Sequence, residues 1–264
     1  KDISEAVQIL QLGDGSFPPL RTISNTNLPR PASSFVGREA EVEAVLSRIE
    51  GGARLVTLTG PGGSGKTRLA IEAASILVPE YKAGVFWVGL AALRDPALVT
   101  ETIGQTLGAP DELAEHVGER ELLLLLDNLE QVIEAAPELA SLVERCPNLA
   151  LLVTSRERLR VRGEVEYEVP PLAEPEAVEL FCMRSQLAPS EEIGELCARL
   201  DNLPLAVELA AARTKALSPA QVLDRLSDRL DLLKGGRDAD PRRRTLRGAI
   251  ERRYDPLTGH ERRL

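Results

Sequence analysis

No stretch of this sequence is apolar for long enough to cross a bilayer. The longest purely aliphatic run, residues 122–126, falls far short of the roughly 20 residues a spanning helix needs. The opening Lys1-Asp2-Ile3-Ser4-Glu5 is not the basic-then-apolar start of a signal peptide. It also carries no initiator Met, so a piece of a longer chain is expected. Cysteine is scarce: Cys146, Cys182 and Cys197 show no paired metal spacing. An odd count without a secretion signal predicts reduced thiols in a cytoplasmic protein, with Cys182 and Cys197 packed inside helices. The two histidines, His116 and His260, stand apart, and neither has a metal partner at useful spacing. An excess of basic charge is lacking as well. The net charge of −9 argues against a chain-wide nucleic-acid surface. Only the stretch from Pro241 departs from this, with Arg242, Arg243, Arg244, Arg247, Arg252, Arg253, Arg262 and Arg263 against Glu251, Asp255 and Glu261. It holds no complete helix-turn-helix or aromatic pattern, so a solvated or intramolecular face is the default reading.

What remains is an ordinary globular balance of 43% hydrophobic and 28% charged residues in 264, enough for one α/β domain and a smaller second one. Residues 13–31 are rich in Gly, Pro, Ser, Thr and Asn and read as a linker, with folded order resuming near Phe35. A helix is predicted over 38–49, with Val42, Val45, Leu46 and Ile49 at helical spacing and Gly51-Gly52 as its stop. Strands are predicted at 55–59, 84–89, 122–127, 149–154 and 164–169. Helices fall between them at 66–77, 96–107, 111–117 and 137–146. This alternation predicts a mostly parallel sheet with helices on both faces. After Pro170-Pro171 the strands cease, and helices are predicted over 175–187, 190–200, 205–217 and 218–232. The expected organisation is a linker over 1–34, a P-loop α/β domain over 35–172 and a helical domain over 173–236. Residues 237–264 would begin a further domain.

Residues 60–67, Gly60-Pro61-Gly62-Gly63-Ser64-Gly65-Lys66-Thr67, fit G-x-x-x-x-G-K-[ST] at every fixed position. The glycines let successive N–H groups curl around phosphate, and the following helix N-terminus adds partial positive charge. Lys66 is expected to reach the β- and γ-phosphates of a nucleoside triphosphate, Thr67 to bind Mg²⁺, and Arg68 to join them in binding the nucleotide. Asp127 closes an aliphatic strand at the sheet's carboxyl edge and is expected to hold Mg²⁺ as the Walker B aspartate. Asn128 follows, where many hydrolytic P-loop enzymes place a second acid; an amide cannot act as general base toward water. Glu130 is the nearest carboxylate, and slow hydrolysis is expected. Arg156, directly after the fourth strand, can report a γ-phosphate. Surface arginines crowd the same loop, however, and a solvated Arg156 stays open. Asp201-Asn202-Leu203-Pro204-Leu205-Ala206 opens a helix with a polar turn and an early proline.

The order of these motifs resembles the STAND ATPases, signal-transduction ATPases with numerous domains. The likeness is to bacterial regulators of the NB-ARC-like branch, related to plant disease-resistance proteins and the apoptosome scaffold. It rests on Phe35-Val36-Gly37-Arg38-Glu39, the P-loop, Asp127-Asn128-Leu129-Glu130, Thr154-Ser155-Arg156-Glu157 and Leu203-Pro204-Leu205-Ala206. The resemblance implies ATP or ADP as ligand, Val36 and Arg38 at the adenine, Pro204 against base or sugar, and Arg156 as sensor. Asn202 stands where the family's G-L-P-L motif has glycine. The resemblance further implies a regulatory switch with slow ATP hydrolysis, ATP-dependent self-assembly, and contacts with other domains of a longer chain. Nucleic acid is not an expected partner of this fragment. Residues 243–264 look like the opening of a winged-helix domain. Residues 1–12, with Phe17-Pro18-Pro19-Leu20, are similar to the tail of a class III nucleotide cyclase domain. A remodelling ATPase of the AAA+ type and a DNA-binding module remain the alternatives.

Overall fold

The computed structural model describes residues 26–109 and 113–228. The cyclase-like opening, most of the linker, the start of the helix at 111–117, and everything after 228 lie outside the described residues. That last part includes the arginine-rich stretch and the winged-helix opening.

Five strands form one parallel sheet in the order β2-β3-β4-β1-β5. They are β1 (Leu55–Thr59), β2 (Gly84–Gly89), β3 (Leu122–Asp127), β4 (Leu149–Thr154) and β5 (Glu164–Glu168). The helices between them are α1 (Glu39–Glu50), α2 (Lys66–Leu77), α3 (Leu98–Leu107), α4 (Leu113–Val117) and α5 (Ala136–Arg145). Strands β3 and β4 are buried at every residue, and their alternate side chains feed two different cores. Leu122, Leu124, Leu126, Leu149, Leu151 and Val153 pack with α3, α4 and α5. Leu123, Leu125, Ala150 and Leu152 pack with α1 and α2 on the other face. A strand covered on both faces has no polar side to show, hence the unbroken aliphatic run.

Order begins earlier than the predicted Phe35. Thr26 bridges Val85 in parallel, and the Asn27 amide copies a strand neighbour: its Nδ2 donates to Trp87 O at 2.9 Å and its Oδ1 accepts from Trp87 N–H at 2.6 Å. These bonds occupy part of the exposed edge of β2. After β3 the chain makes two short 3-10 turns, Leu129–Gln131 and Ile133–Ala135, which periodicity did not reveal.

Helices α6 (Glu174–Ser185), α7 (Glu191–Arg199), α8 (Pro204–Arg213) and α9 (Pro219–Asp228) gather around a third core, centred on Phe181, Leu196, Cys197, Val207 and Ala210. Cys146 and Cys197 are buried, and all three cysteines are free. Burial pushes the Cys197 thiol up to about 11, so it is inert near neutrality. Among the described residues, no helix is long and apolar enough to cross a membrane.

Candidate functional site

The strand order decides what meets at the sheet's carboxyl edge. The glycine-rich loop leaves β1, Asp127 ends β3, and β4 lies between them, so Thr154 at the end of β4 stands between the loop and Asp127. Its hydroxyl donates to Asp127 Oδ1 at 2.8 Å and accepts from the Asn128 N–H at 2.9 Å. From the other side, the Thr67 hydroxyl donates to the same Oδ1 at 2.5 Å. Two threonines from different elements thus hold one carboxylate oxygen, and Asp127 is almost fully buried. A hydroxyl next to a buried carboxylate is a hard-oxygen set suited to Mg²⁺ and its waters.

The loop has the backbone for anion binding. Gly60, Gly63 and Gly65 have φ of 137°, 88° and 93°, a region open to glycine and strained for other residues. The carbonyls of Gly60 and Pro61 accept from Lys66 Nζ at 2.8 and 3.0 Å, and Gly62 lies half-buried between them and Gly63. Ser64 is fully buried, and its Oγ has no hydrogen-bond partner among the described residues. Lys66 is 8% exposed. Its pKa is lowered to about 8, chiefly by burial; Glu130 and Asp127 oppose the shift and Arg156 adds to it. An ammonium held this far from water, against carbonyls alone, is suited to an anionic ligand. The loop, Lys66, Thr67 and Asp127 therefore fit a magnesium-bound polyphosphate.

Arg38 ties three regions together. It sits in the left-handed region at φ 69° and is 2% exposed. Its Nη2 donates to Ser64 O at 2.9 Å and to Pro170 O at 2.8 Å, and its backbone N–H donates to Glu176 Oε1 at 3.0 Å. Burial lowers its guanidinium pKa, and its Nη1 has no hydrogen-bond partner among the described residues. Val36 packs beside the helical core. Arg68 goes elsewhere: its guanidinium donates to the carbonyl of Ser33, so its side chain braces the entering segment.

The helical unit reaches the loop through α8. The Leu205 N–H donates to Gly63 O at 3.2 Å. A Cβ placed on Gly63 would lie 3.0 Å from Leu205 Cβ, and one on Gly65 would lie 3.6 Å from Pro204 Cγ. Asp201 and Asn202 make the turn before α8 with φ of 53° and 50°. Asparagine is among the few side chains that enter this region readily, so Asn202 can replace glycine there.

Glu130 and Arg156 form an ion pair, Nε to Oε1 at 3.0 Å, with the Glu130 side chain 8% exposed. Three contributors escaped sequence reasoning. Thr154 was visible only as part of a motif. Glu176 is half of a capping box, since its Oε2 accepts from Ala173 N–H at 3.0 Å while Ala173 offers no side-chain acceptor. Leu205 too was visible only as part of a motif, with nothing to mark its contact with Gly63.

No family model matches the chain. It is 40% identical over 228 residues to a Mycobacterium tuberculosis protein whose name provisionally makes it an HTH-type transcriptional regulator, a match covering 79% of this chain and 26% of that protein. An uncharacterized Mycobacterium tuberculosis protein is 38% identical over 256 residues, covering 89% of this chain and 65% of the relative. The chain thus spans only part of either relative. Among solved structures it is similar to a STAND protein with a tetratricopeptide repeat sensor from Pyrococcus horikoshii. There the TM-score is 0.52 at 19% identity, over 80% of this chain and 34% of the other. AMPPCP-bound DnaA from Aquifex aeolicus gives a TM-score of 0.53 at 14% identity, over 74% of this chain and 67% of the other. The chain has the fold of the P-loop ATPases, a parallel sheet flanked by helices.

Proposed function

We propose that this chain is the ATP- and ADP-binding switch of a larger regulatory protein, with slow Mg²⁺-dependent ATP hydrolysis. The observation that carries this reading is the docking of α8 on the P-loop through Leu205, Pro204 and Gly63. A helical unit resting on a phosphate loop feels what that loop holds.

In this reading the N–H groups of residues 62–67 and the ammonium of Lys66 bind the phosphates. Thr67 and Asp127 hold the metal, which when bound offsets the charge of the β- and γ-phosphates. Val36, Arg38 and Pro204 flank the base and sugar. Arg156 senses the γ-phosphate, and Glu130 directs the water that Asn128 cannot activate. The length and name of the Mycobacterium tuberculosis HTH-type relative support further domains and a transcriptional output. Residues 35–172, 173–236 and 237–264 are then the P-loop domain, the helical domain and the start of a winged-helix domain, with 1–34 leading in from the preceding one. ADP favours the closed contact, and ATP favours its release and self-assembly. The two nucleotides must bind the two states unequally, or nothing switches.

The test is to denature the purified protein, identify any released nucleotide by chromatography, and measure ATP turnover with Mg²⁺. The reading expects bound ADP and turnover below about one per minute, against the 1–100 s⁻¹ of working phosphotransferases. An empty site with brisk turnover would instead favour a remodelling motor.

A further inference from the structure

The Glu130–Arg156 pair sits on rigid supports. Asn128 turns the chain through the left-handed region at φ 67° and ψ 44°, and its N–H is fixed by Thr154. Leu129, the first residue of the 3-10 turn, and Val132, just after it, are fully buried. Glu130 is therefore delivered to the sheet's carboxyl edge by a turn anchored at both ends. Thr154 holds both Asp127 and the Asn128 N–H, and the charges of Glu130 and Arg156 both bear on the Lys66 ammonium, so the pair belongs to the phosphate end of the site.

One carboxylate oxygen, Oε1, faces Arg156 Nε at 3.0 Å, an ion pair without hydrogen-bond geometry, with the Asn128 amide at 3.5 Å. The other, Oε2, is buried and has no hydrogen-bond partner among the described residues. A buried carboxylate oxygen without a donor is costly. A purely structural ion pair would gain from satisfying both oxygens. The guanidinium, at 28% side-chain exposure, is the more accessible member and the one able to move.

We propose that Glu130 and Arg156 form a latch opened only by a triphosphate: Arg156 must exchange Glu130 for the γ-phosphate, and that exchange frees Glu130 to act on water. The inference rests on the nucleotide reading above and adds the order of events. In the latched state Arg156 neutralises the base, and the base occupies the sensor. A diphosphate offers Arg156 no third phosphate, so the latch stays closed over ADP. With a triphosphate, the guanidinium moves to the γ-oxygens. Glu130 then takes a proton from water while the water oxygen bonds to the γ-phosphorus. The bond from that phosphorus to the β–γ bridging oxygen breaks, and its electron pair leaves with ADP. Each triphosphate must first break a part-buried ion pair, which weakens its binding and slows its hydrolysis.

The test compares calorimetric affinities for AMPPCP and ADP, both with Mg²⁺, in the 264-residue chain and its variants. Glu130→Gln removes the latch while keeping the shape. AMPPCP should bind on the order of tenfold tighter, matching the lost pairing, and ADP within about twofold of the parent. Glu130→Asp, a second and milder variant, should loosen the pair in the same direction yet retain measurable turnover, whereas Glu130→Gln loses roughly a hundredfold or more. In an Arg156→Gln background, Glu130→Gln should add nothing to AMPPCP affinity. Unchanged AMPPCP affinity in both Glu130 variants, or equal changes for AMPPCP and ADP, would overturn the latch and leave nucleotide binding standing. Failure of the parent chain to bind either nucleotide would overturn both.

Discussion

The backbone N–H of Leu205 donates to the carbonyl oxygen of Gly63 at 3.2 Å, joining the second residue of α8 to the middle of the phosphate loop. Helix geometry leaves the first four N–H groups of any α-helix without an internal acceptor. Pro204, at the first position, has no N–H to offer. Leu205 therefore presents the first available donor of α8, and the loop takes it.

This contact makes Gly63 intolerant of a side chain. Alanine there meets φ 88° and a Leu205 Cβ 3.0 Å away. Gly63→Ala should cost about 1–2 kcal/mol in backbone conformation alone and more through the displaced helix. Adding Leu205→Ala should recover little, because alanine keeps the Cβ that the new methyl meets. Thermal unfolding of the two single variants and the double variant checks this; a Gly63→Ala protein as stable as the parent would contradict the docking.

Thr154 offers a second test, because it holds Asp127 and Asn128 together. Thr154→Val keeps the volume and removes both hydrogen bonds, leaving a buried carboxylate oxygen with one donor fewer. A loss of about 1–3 kcal/mol is expected, together with a higher Mg²⁺ requirement for nucleotide binding. Thr154→Ser should restore most of both. Magnesium titrations at fixed nucleotide separate this outcome from a general loss of fold.

Arg38 should prove structural as well as ligand-facing. Arg38→Met leaves the carbonyls of Ser64 and Pro170 without their donor, for which a loss of about 2–4 kcal/mol is expected. The melting temperature should fall by roughly 4–16 °C, even without nucleotide. A variant that loses nucleotide affinity but melts with the parent would confine Arg38 to ligand contact.

Lys66 ties binding to pH. Its folded pKa of about 8 lies below the ordinary 10.5, chiefly through burial. Between these two values the unfolded chain holds the extra proton, so the folded state gains stability as pH rises through that window. Phosphate favours the ammonium, so binding above pH 8 should take up a proton, with affinity falling up to about tenfold per pH unit. Calorimetry at pH 8.5 in two buffers of different ionisation heat reads the uptake directly. Lys66→Ala should abolish triphosphate binding; undiminished affinity there would refute the P-loop assignment.

What the sequence made legible was what the chain encodes locally. The P-loop, the aliphatic strand ending at Asp127 and the shift to helices after Pro171 each lie within a short window, and each recurs in the structure. The early start at Thr26 was hidden, since Asn27 acquires its role only from Trp87, 60 residues away. Likewise, the part played by Thr154 depends on β4 lying between β1 and β3, an order no spacing reveals. Arg68 lies next to Thr67 in sequence, which suggested a ligand role, but the helix turns its guanidinium toward Ser33. The reverse holds for Glu130 and Arg156: 26 residues apart, they were singled out separately, and only the fold makes them one pair.

The most direct test of a nucleotide-set contact between the P-loop and α8 is amide hydrogen exchange at Leu205. Its protection depends on Gly63, because no acceptor within its own helix is available to it. The account predicts slow exchange of this amide with ADP bound and markedly faster exchange with AMPPCP and Mg²⁺, while the core strand β3 stays protected in both. Equal protection of Leu205 in the two nucleotide states would contradict it.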